Sequence, residues 1–241
     1  MMNRTGTQPD IKIVYEDKHL LVVDKPHNLL SQEDRTGDPD LVSLCKDYLT
    51  RKRDTNGGVY LGLIHRLDRP AGGLMVLAKS PEAARTLSRL FRERSVQKTY
   101  YAVVQGNPPV NGVLIHHLHK DREANTVEPV APDHPEGKRA ELSFQRLEES
   151  GDLSLVEVHL QTGRPHQIRV QLASEGYPVW GDYRYGPQQP DGRTLALRSV
   201  ELRFRHPVPE DRREMRFRIF PPAVEPWDRF DSRENGEAGV Q

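Results

Sequence analysis

The chain predicts an α+β fold: a mixed, largely antiparallel sheet with flanking helices. Three observations carry that expectation. Short apolar strands dominate the pattern, helices stand between some of them, and no internal repeat or low-complexity linker divides the body.

In chain order, Ile11–Tyr15 and Leu20–Asp24 are short apolar strands, the second ending at the breaker Lys25-Pro26. Over Leu41–Thr50, the residues Leu41, Leu44, Cys45, Tyr48 and Leu49 recur at helical spacing. Tyr60–Ile64 and Leu74–Ala78 read as strands on either side of His65–Gly73. The clearest helix is Pro81–Arg94, with Ser80 as N-cap, Pro81 in the first turn, and a stripe of Ala83, Ala84, Leu87, Leu90 and Phe91. Lys98–Gln105, Ala140–Glu148, Leu153–Leu160, Leu195–Phe204 and Met215–Phe220 follow as strands. His166–Ser174 reads as a short helix, with Ile168 and Leu172 one turn apart. Residues 1–10 are expected to form a flexible N-terminal tail, 11–223 one folded body, and 224–241 a flexible acidic C-terminal tail.

A chain of 241 residues, 35% hydrophobic and 29% charged, can bury a substantial core. It has no apolar run of membrane-spanning length, and its first ten residues lack the apolar stretch of a secretory signal. The single cysteine, Cys45, excludes an internal disulfide and suits a reducing compartment, so cytoplasm is expected. The formal net charge of +0 counts mildly against a nucleic-acid partner. Residues 1–220 nevertheless hold 33 bases and 30 acids, because the last 21 residues carry five acids and two bases.

Three segments concentrate chemistry. The first is His65-Arg66-Leu67-Asp68-Arg69-Pro70-Ala71-Gly72-Gly73, a carboxylate between two arginines before a Pro/Gly turn. Taken alone, the string also reads as a solvated loop with surface ion pairs worth about 0–1 kcal/mol each. The glycines favour close approach of backbone or ligand. The second is the strand Lys98-Thr99-Tyr100-Tyr101-Ala102-Val103-Val104, where Tyr100 and Ala102 share one face and Tyr101 and Val103 the other. The third is Leu160-Gln161-Thr162-Gly163-Arg164-Pro165-His166-Gln167-Ile168-Arg169-Val170, a turn followed by a dense set of donors at a helix start. By itself the second reads better as core packing with its tyrosine hydroxyl satisfied, and the third also reads as helix capping with solvated arginines.

Together the three segments resemble the RluA-type RNA pseudouridine synthases, whose signatures are HRLD, a K-x-Y-x-A strand and TGR-x-HQIR. IVYEDKHLLVVDKP near the start, GDYRYG at Gly181–Gly186 and LALRSVELRFRHP at Leu195–Pro207 extend the likeness in the same order over about residues 11–220. The resemblance implies a pseudouridine synthase-like fold with a central catalytic cleft, in a catalytic domain over 11–223 without an S4-like region. It implies that Asp68 is the catalytic carboxylate. It implies that Tyr100 packs on the target base and is a candidate for moving the C5 proton, and that Arg169 pairs with the aspartate. It further implies that Arg66 displaces the target base or fills its place, and that Ile168 adds an apolar wall beneath the uracil. Arg69, Arg164, His166 and Gln167 complete the expected RNA contacts. The chain departs from the family where Thr-Ser-Gly gives way to Ala71-Gly72-Gly73, and where Gln171 replaces a histidine after QIRV.

The implied reaction isomerises uridine in rRNA or tRNA. It conserves atoms and electrons, so neither cofactor nor metal is expected, in line with the absence of GxGxxG and P-loop patterns. A carboxylate in a dry site tends to become neutral, and a cation within about 4–6 Å favours its charged form. Arginine suits this better than lysine, because its planar fork fixes the carboxylate's orientation. His116, His117 and His119 lack recognised metal-ligand spacing. The arginine-rich run from Arg198 to Arg218 reads as a solvated strand face or as a phosphate-tracking surface. Two rival functions are a hydrolase that releases uracil and an RNA-binding module without turnover. A monomer is expected.

Overall fold

The structure is a computed structural model that describes residues 11–53, 58–187, 194–208, 211, 213–234 and 238–240. Its strands are β1 (Lys12–Glu16), β2 (Leu20–Lys25), β3 (Gly62–Leu63), β4 (Gly72–Ala78), β5 (Gln97–Gln105), β6 (Asn111–Asp121), β7 (Thr126–Val130), β8 (Lys138–Ser150), β9 (Leu153–Leu160), β10 (Leu197–Arg205), β11 (Glu214–Arg218) and β12 (Gly239–Val240). The helices are α1 (Leu41–Arg53), α2 (Pro81–Arg92) and α3 (Gln167–Ser174). The strands form one sheet in the order β1-β2-β4-β10-β5-β9-β8-β6-β7, with β3 on β4, β11 on β10 and β12 on β11. Only β4 and β10 pair in parallel; the other pairs among the described residues are antiparallel. The expected mixed, largely antiparallel sheet with flanking helices is what forms.

Alternation along β2 and β4 explains how helices cover both faces. Leu21, Val23, Met75 and Leu77 join one core with Leu41, Leu44, Cys45 and Leu49 of α1. Leu20, Val22, Leu74 and Val76 join a second core with Ala83 and Leu87 of α2. Successive strand residues point to opposite faces, so a strand buried on both sides must read as a continuous apolar run. Helix α2 starts as its sequence predicts: Ser80 accepts a hydrogen bond from the Ala83 N–H at 3.2 Å, with Pro81 in the first turn.

Strand β10 links the middle of the sheet to its edge. Arg198 and Ser199 pair with Gly72 and Gly73, then an irregularity between Ser199 and Glu201 sends the strand on to β11. The close approach requires Gly73 to be glycine. Its φ is +111°, and a Cβ would stand 2.2 Å from the Ser199 carbonyl oxygen. The segment that carries Asp68 is therefore fixed at its exit by the sheet centre.

Two expectations need correction, and one stretch left unassigned gains structure. Tyr60–Ile64 is a strand only over Gly62–Leu63. The unassigned segment 111–130 forms the hairpin β6–β7; Val113 and Ile115 on its exposed face blur the apolar–polar alternation that would mark it. Residues 224–234 are not a loose tail, because Trp227 and Phe230 are buried in the first core and the Ser232 N–H donates to Glu148 Oε2 at 2.8 Å. Each large ring removes about 150–250 Å² from water, which outweighs the segment's acidic composition. The expected N-terminal tail, 1–10, lies outside the described residues. Among the described residues no helix is long and apolar enough to cross a membrane.

Candidate active site

The loop between β3 and β4 is held by its backbone carbonyls, which leaves its charged side chains outward. Ser31 Oγ donates to the Leu67 carbonyl at 2.8 Å and accepts the Leu67 N–H at 3.2 Å. The Lys25 ammonium donates to the carbonyls of Arg69 (3.2 Å), Leu29 (2.7 Å) and Pro26 (3.0 Å), and His27 Nδ1 meets the Pro70 carbonyl at 2.9 Å. Three side chains from the exit of β2 thus hold three carbonyls flanking Asp68. Burial pulls the Lys25 ammonium down to about 7, against the attraction of Asp68. At the loop's entrance His65 Nε2 accepts the Val76 N–H at 3.1 Å, and its ring stacks on Phe91 at 4.6 Å. Burial, with the charge of Lys98, brings His65 to about 3, so its imidazole is neutral and structural.

Asp68 meets Arg169 at the cleft. Arg169 Nη1 donates to Asp68 Oδ2 at 3.1 Å, a pairing across 101 residues of chain. The rest of the guanidinium is clamped by Asp182: Nε to Oδ2 at 2.7 Å and Nη2 to Oδ1 at 2.8 Å. Asp182 is fully buried, the Arg169 side chain is 6% exposed, and Asp68 is 24% exposed. Burial pushes Asp182 up, but the Arg169 bonds and the N–H groups of Arg184 and Tyr185 outweigh it, holding the carboxyl below its ordinary range. The Arg169 guanidinium also lies 5.1 Å from the centre of the Tyr185 ring. One arginine is therefore locked in orientation by one acid while it holds a second that opens on the cleft.

Helix α3 positions Arg169 through its first turn. His166 takes a left-handed conformation (φ 52°) at the N-cap, and its Nδ1 lies 2.6 Å from the Tyr185 hydroxyl. That hydroxyl accepts the Val127 N–H at 2.9 Å, so its own proton points to His166 Nδ1. Burial lowers the His166 pKa, in keeping with a neutral, accepting ring. Gln167, expected among the RNA contacts, lines the cleft but is largely buried: its Oε1 accepts from Thr162 Oγ1 (2.8 Å) and the Arg164 N–H (2.9 Å), and its Nε2 donates to the Glu141 carbonyl (3.1 Å). It braces the turn, because its oxygen already accepts twice and its amide is tied to β8. Gln171, one of the departures from the family pattern, is fully buried and ties α3 to the carbonyls of Leu114 and Ala140 and to His116.

Asp68, Tyr100, Arg169, Arg66, Arg69, Arg164, His166, Gln167 and Ile168 all line one cleft of about 690 Å³, a volume usual for small-molecule or nucleotide sites. Tyr100 is buried, and burial together with Asp68 pushes its phenol well above the ordinary value, so it is neutral near pH 7. Arg66 is exposed, Arg69 pairs with Asp38 at 2.7 Å, and Arg164 Nε donates to the Arg139 carbonyl at 3.1 Å. Eight basic residues and three acidic ones line the cleft, although the whole chain is neutral. The lone cysteine is buried elsewhere, in the α1 core.

Sequence reasoning gave no role to Asp182, Lys25 and Ser31, all at or beneath this cleft. Asp182 lay within the GDYRYG segment and Lys25 within IVYEDKHLLVVDKP, so a search for groups to hold Arg169 and the Asp68 loop had places to look. Ser31 sits in an ordinary-looking stretch after β2, and no local pattern marks it. Among the described residues no group of His, Cys, Asp and Glu has a metal-binding arrangement. His116 and His119 point to different acids, Glu175 at 3.2 Å and Glu136 at 2.9 Å.

The chain matches the RNA pseudouridylate synthase family over residues 19–174. It is 33% identical over 210 residues to ribosomal large subunit pseudouridine synthase C of Vibrio cholerae, covering 84% of this chain and 64% of that protein. It is 32% identical over 209 residues to ribosomal large subunit pseudouridine synthase D of Zymomonas mobilis, covering 82% and 66%. The chain thus spans just under two thirds of the length of these relatives. Its fold superposes on the solved human RNA pseudouridylate synthase domain containing 4 with a TM-score of 0.72, at 25% identity and 88% coverage of each chain. By sequence match and fold alike, the chain belongs to the RNA pseudouridylate synthase family.

Proposed function

We propose that the protein isomerises specific uridines in RNA, rRNA or tRNA, to pseudouridine, with Asp68 as the catalytic carboxylate. One observation supports this most: Asp68 is held by an arginine already fixed by a second, buried acid, and faces a basic cleft that also holds a neutral phenol. Its Oδ1 has no hydrogen-bond partner among the described residues, so that oxygen is open to a ligand.

In the reaction the N1–C1′ bond of uridine breaks, the uracil turns, and a C5–C1′ bond forms. The C5 proton leaves and N1 gains one, so atoms and electrons balance without a redox partner. Asp68 acts as nucleophile or as stabiliser of positive character on the sugar. Arg169 keeps it ionised and aimed. A stacked target base must first be extruded at a cost of a few kcal/mol. Tyr100 and Ile168 receive it, with base–aromatic stacking worth about 1–3 kcal/mol, and exposed Arg66 takes its place in the RNA. Because its phenol is neutral, Tyr100 serves as a stacking surface and as donor or relay for the C5 proton rather than as a standing phenolate. The lone buried cysteine fits a reducing cytoplasm, and a monomer suffices, since the catalytic groups come from one chain.

The test uses RNA labelled with tritium at uridine C5. Wild-type protein is expected to release tritium to water and to yield pseudouridine, and Asp68→Asn to release essentially none while still binding RNA. Free uracil would identify a hydrolase instead, and undiminished turnover by Asp68→Asn would remove the carboxylate from the mechanism.

A further inference from the structure

Helix α2 carries a feature that the isomerisation does not use. Arg85, Arg89 and Arg92 are four and three residues apart, so they share one side of the helix. With Tyr60 they line a shallow open groove on the outer surface. Arg92 lines this groove and the Asp68 cleft alike, and Arg94 and Lys98 continue the basic lining towards Tyr100. Arg85 and Arg92 make no ion pair among the described residues. The Arg89–Glu93 pair is long, at 3.5 Å, with both side chains about half exposed, and such pairs hold little. Tyr60 is 45% exposed, and its hydroxyl lies beside Gly62 on β3, next to Ala84 of α2.

We propose that this groove carries the RNA phosphate backbone next to the target uridine, with Arg85, Arg89 and Arg92 on successive phosphates and Tyr60 stacking on a flanking base. The inference rests on RNA being the substrate of the cleft. Seven residues of helix from Arg85 to Arg92 span about 10 Å. Neighbouring arginines of the stripe stand about 5–6 Å apart at Cβ, so their long side chains can each meet a separate phosphate of a strand laid along the helix. An acidic peptide would use the arginines but not the exposed ring, and it would have no reason to run into the same cleft as the target nucleotide.

The test compares the full chain with the double variant Arg85→Ala/Arg89→Ala, using labelled oligouridylates of about 20 and about 5 nucleotides across a salt series. The longer probe is expected to bind the variant on the order of tenfold more weakly, with a salt slope shallower by about one to two. The shorter probe, which fits the cleft alone, is expected to lose much less. Arg85→Lys/Arg89→Lys keeps the charge and is expected to restore most of the affinity, which a merely structural role for the arginines would not predict. Equal affinity and equal salt slope for the longer probe would overturn the inference. So would unchanged RNA binding alongside lost binding of polyglutamate, which would assign the groove to an acidic protein. Either result leaves the Asp68→Asn outcome untouched, so failure here is separable from failure of the catalytic reading.

Discussion

Consecutive tyrosines on β5 face two arginine–carboxylate clusters of opposite stoichiometry. On the cleft face, near Tyr100, one guanidinium serves two acids, Asp182 and Asp68. On the far face Tyr101 accepts a hydrogen bond from Arg218 and meets Glu157, while Glu201 gathers Arg216 at 2.9 Å and Arg218 at 3.0 Å, with Arg203 at 3.7 Å. The difference separates a carboxylate that opens on the cleft from one held within the sheet. Where acids exceed arginines, one carboxylate keeps an oxygen free and stays partly exposed. Where arginines exceed acids, one oxygen, Glu201 Oε2, takes three hydrogen bonds from Arg216 and Arg218. The run from Arg198 to Arg218 is accordingly tied into the protein: Arg198 pairs with Asp24 at 2.5 Å, and Arg203, Arg216 and Arg218 converge on Glu201.

The contrast can be broken most severely at Asp182. Asp182→Ala leaves a buried guanidinium with Asp68 as its only carboxylate, and breaking such a pair costs about 3–5 kcal/mol. Denaturant midpoints measure this, and a loss below about 1 kcal/mol would show that Arg169 does not depend on its clamp. Arg169→Lys comes next. A lysine cannot hold Asp182 with two parallel bonds and also reach Asp68, so turnover is expected to fall about 100-fold, or about 2.7 kcal/mol, with RNA affinity little changed. Equal turnover in the two proteins would remove Arg169 from the mechanism.

Glu201→Gln probes the far face. Its loss leaves two partly buried arginines without their shared charge, and about 1–2 kcal/mol of stability is expected to go, discounted for their partial exposure. Turnover by folded protein should stay within about twofold of wild type; a large drop would mean that the two faces are coupled through β5. The smallest effect lies on the pH axis. Glu157, 2.8 Å from His159, raises that imidazole's pKa. The folded state therefore binds its proton more tightly than the unfolded chain does. The resulting stabilisation is complete below the ordinary histidine value of about 6.5 and disappears as pH rises through the raised one. His159 is about half exposed, so the fall should stay under about 0.5 kcal/mol. Glu157→Gln is expected to abolish it. The cleft histidines His65 and His166 are shifted the other way and raise stability as pH climbs towards about 6.5, so only a fall above that value which survived Glu157→Gln would have another origin.

Local periodicity made most of the fold legible. The double-faced apolar runs of β2 and β4, the capped stripe of α2 and the alternation in β5 each report burial within a few residues of themselves. It failed for β6 and β7, because exposed Val113 and Ile115 blur the alternation of β6 and because the hairpin exists where β8 offers a hydrogen-bonding edge. It failed again at 224–234, where two aromatic rings decide the packing and the acidic residues around them decide only the composition. In the site, Asp68, Tyr100 and Arg169 were readable because each stands in a distinctive short segment. Gln167 stands in the same segment as Arg169, yet its amide turns inward to hold the turn.

What the sequence by itself determined is the order of those segments, the family they belong to, and the identity of the three groups brought to the cleft. What only the tertiary structure decided is the environment that separates one carboxylate from another. Asp68 and Asp182 carry the same group, and both meet Arg169. Burial and two backbone N–H bonds make Asp182 a clamp, while the cleft leaves Asp68 an open oxygen. That assignment depends on partners brought together from 13 and 101 residues away. Charge interactions act through space, and no pattern of neighbours along a chain encodes which distant groups a sheet will set side by side.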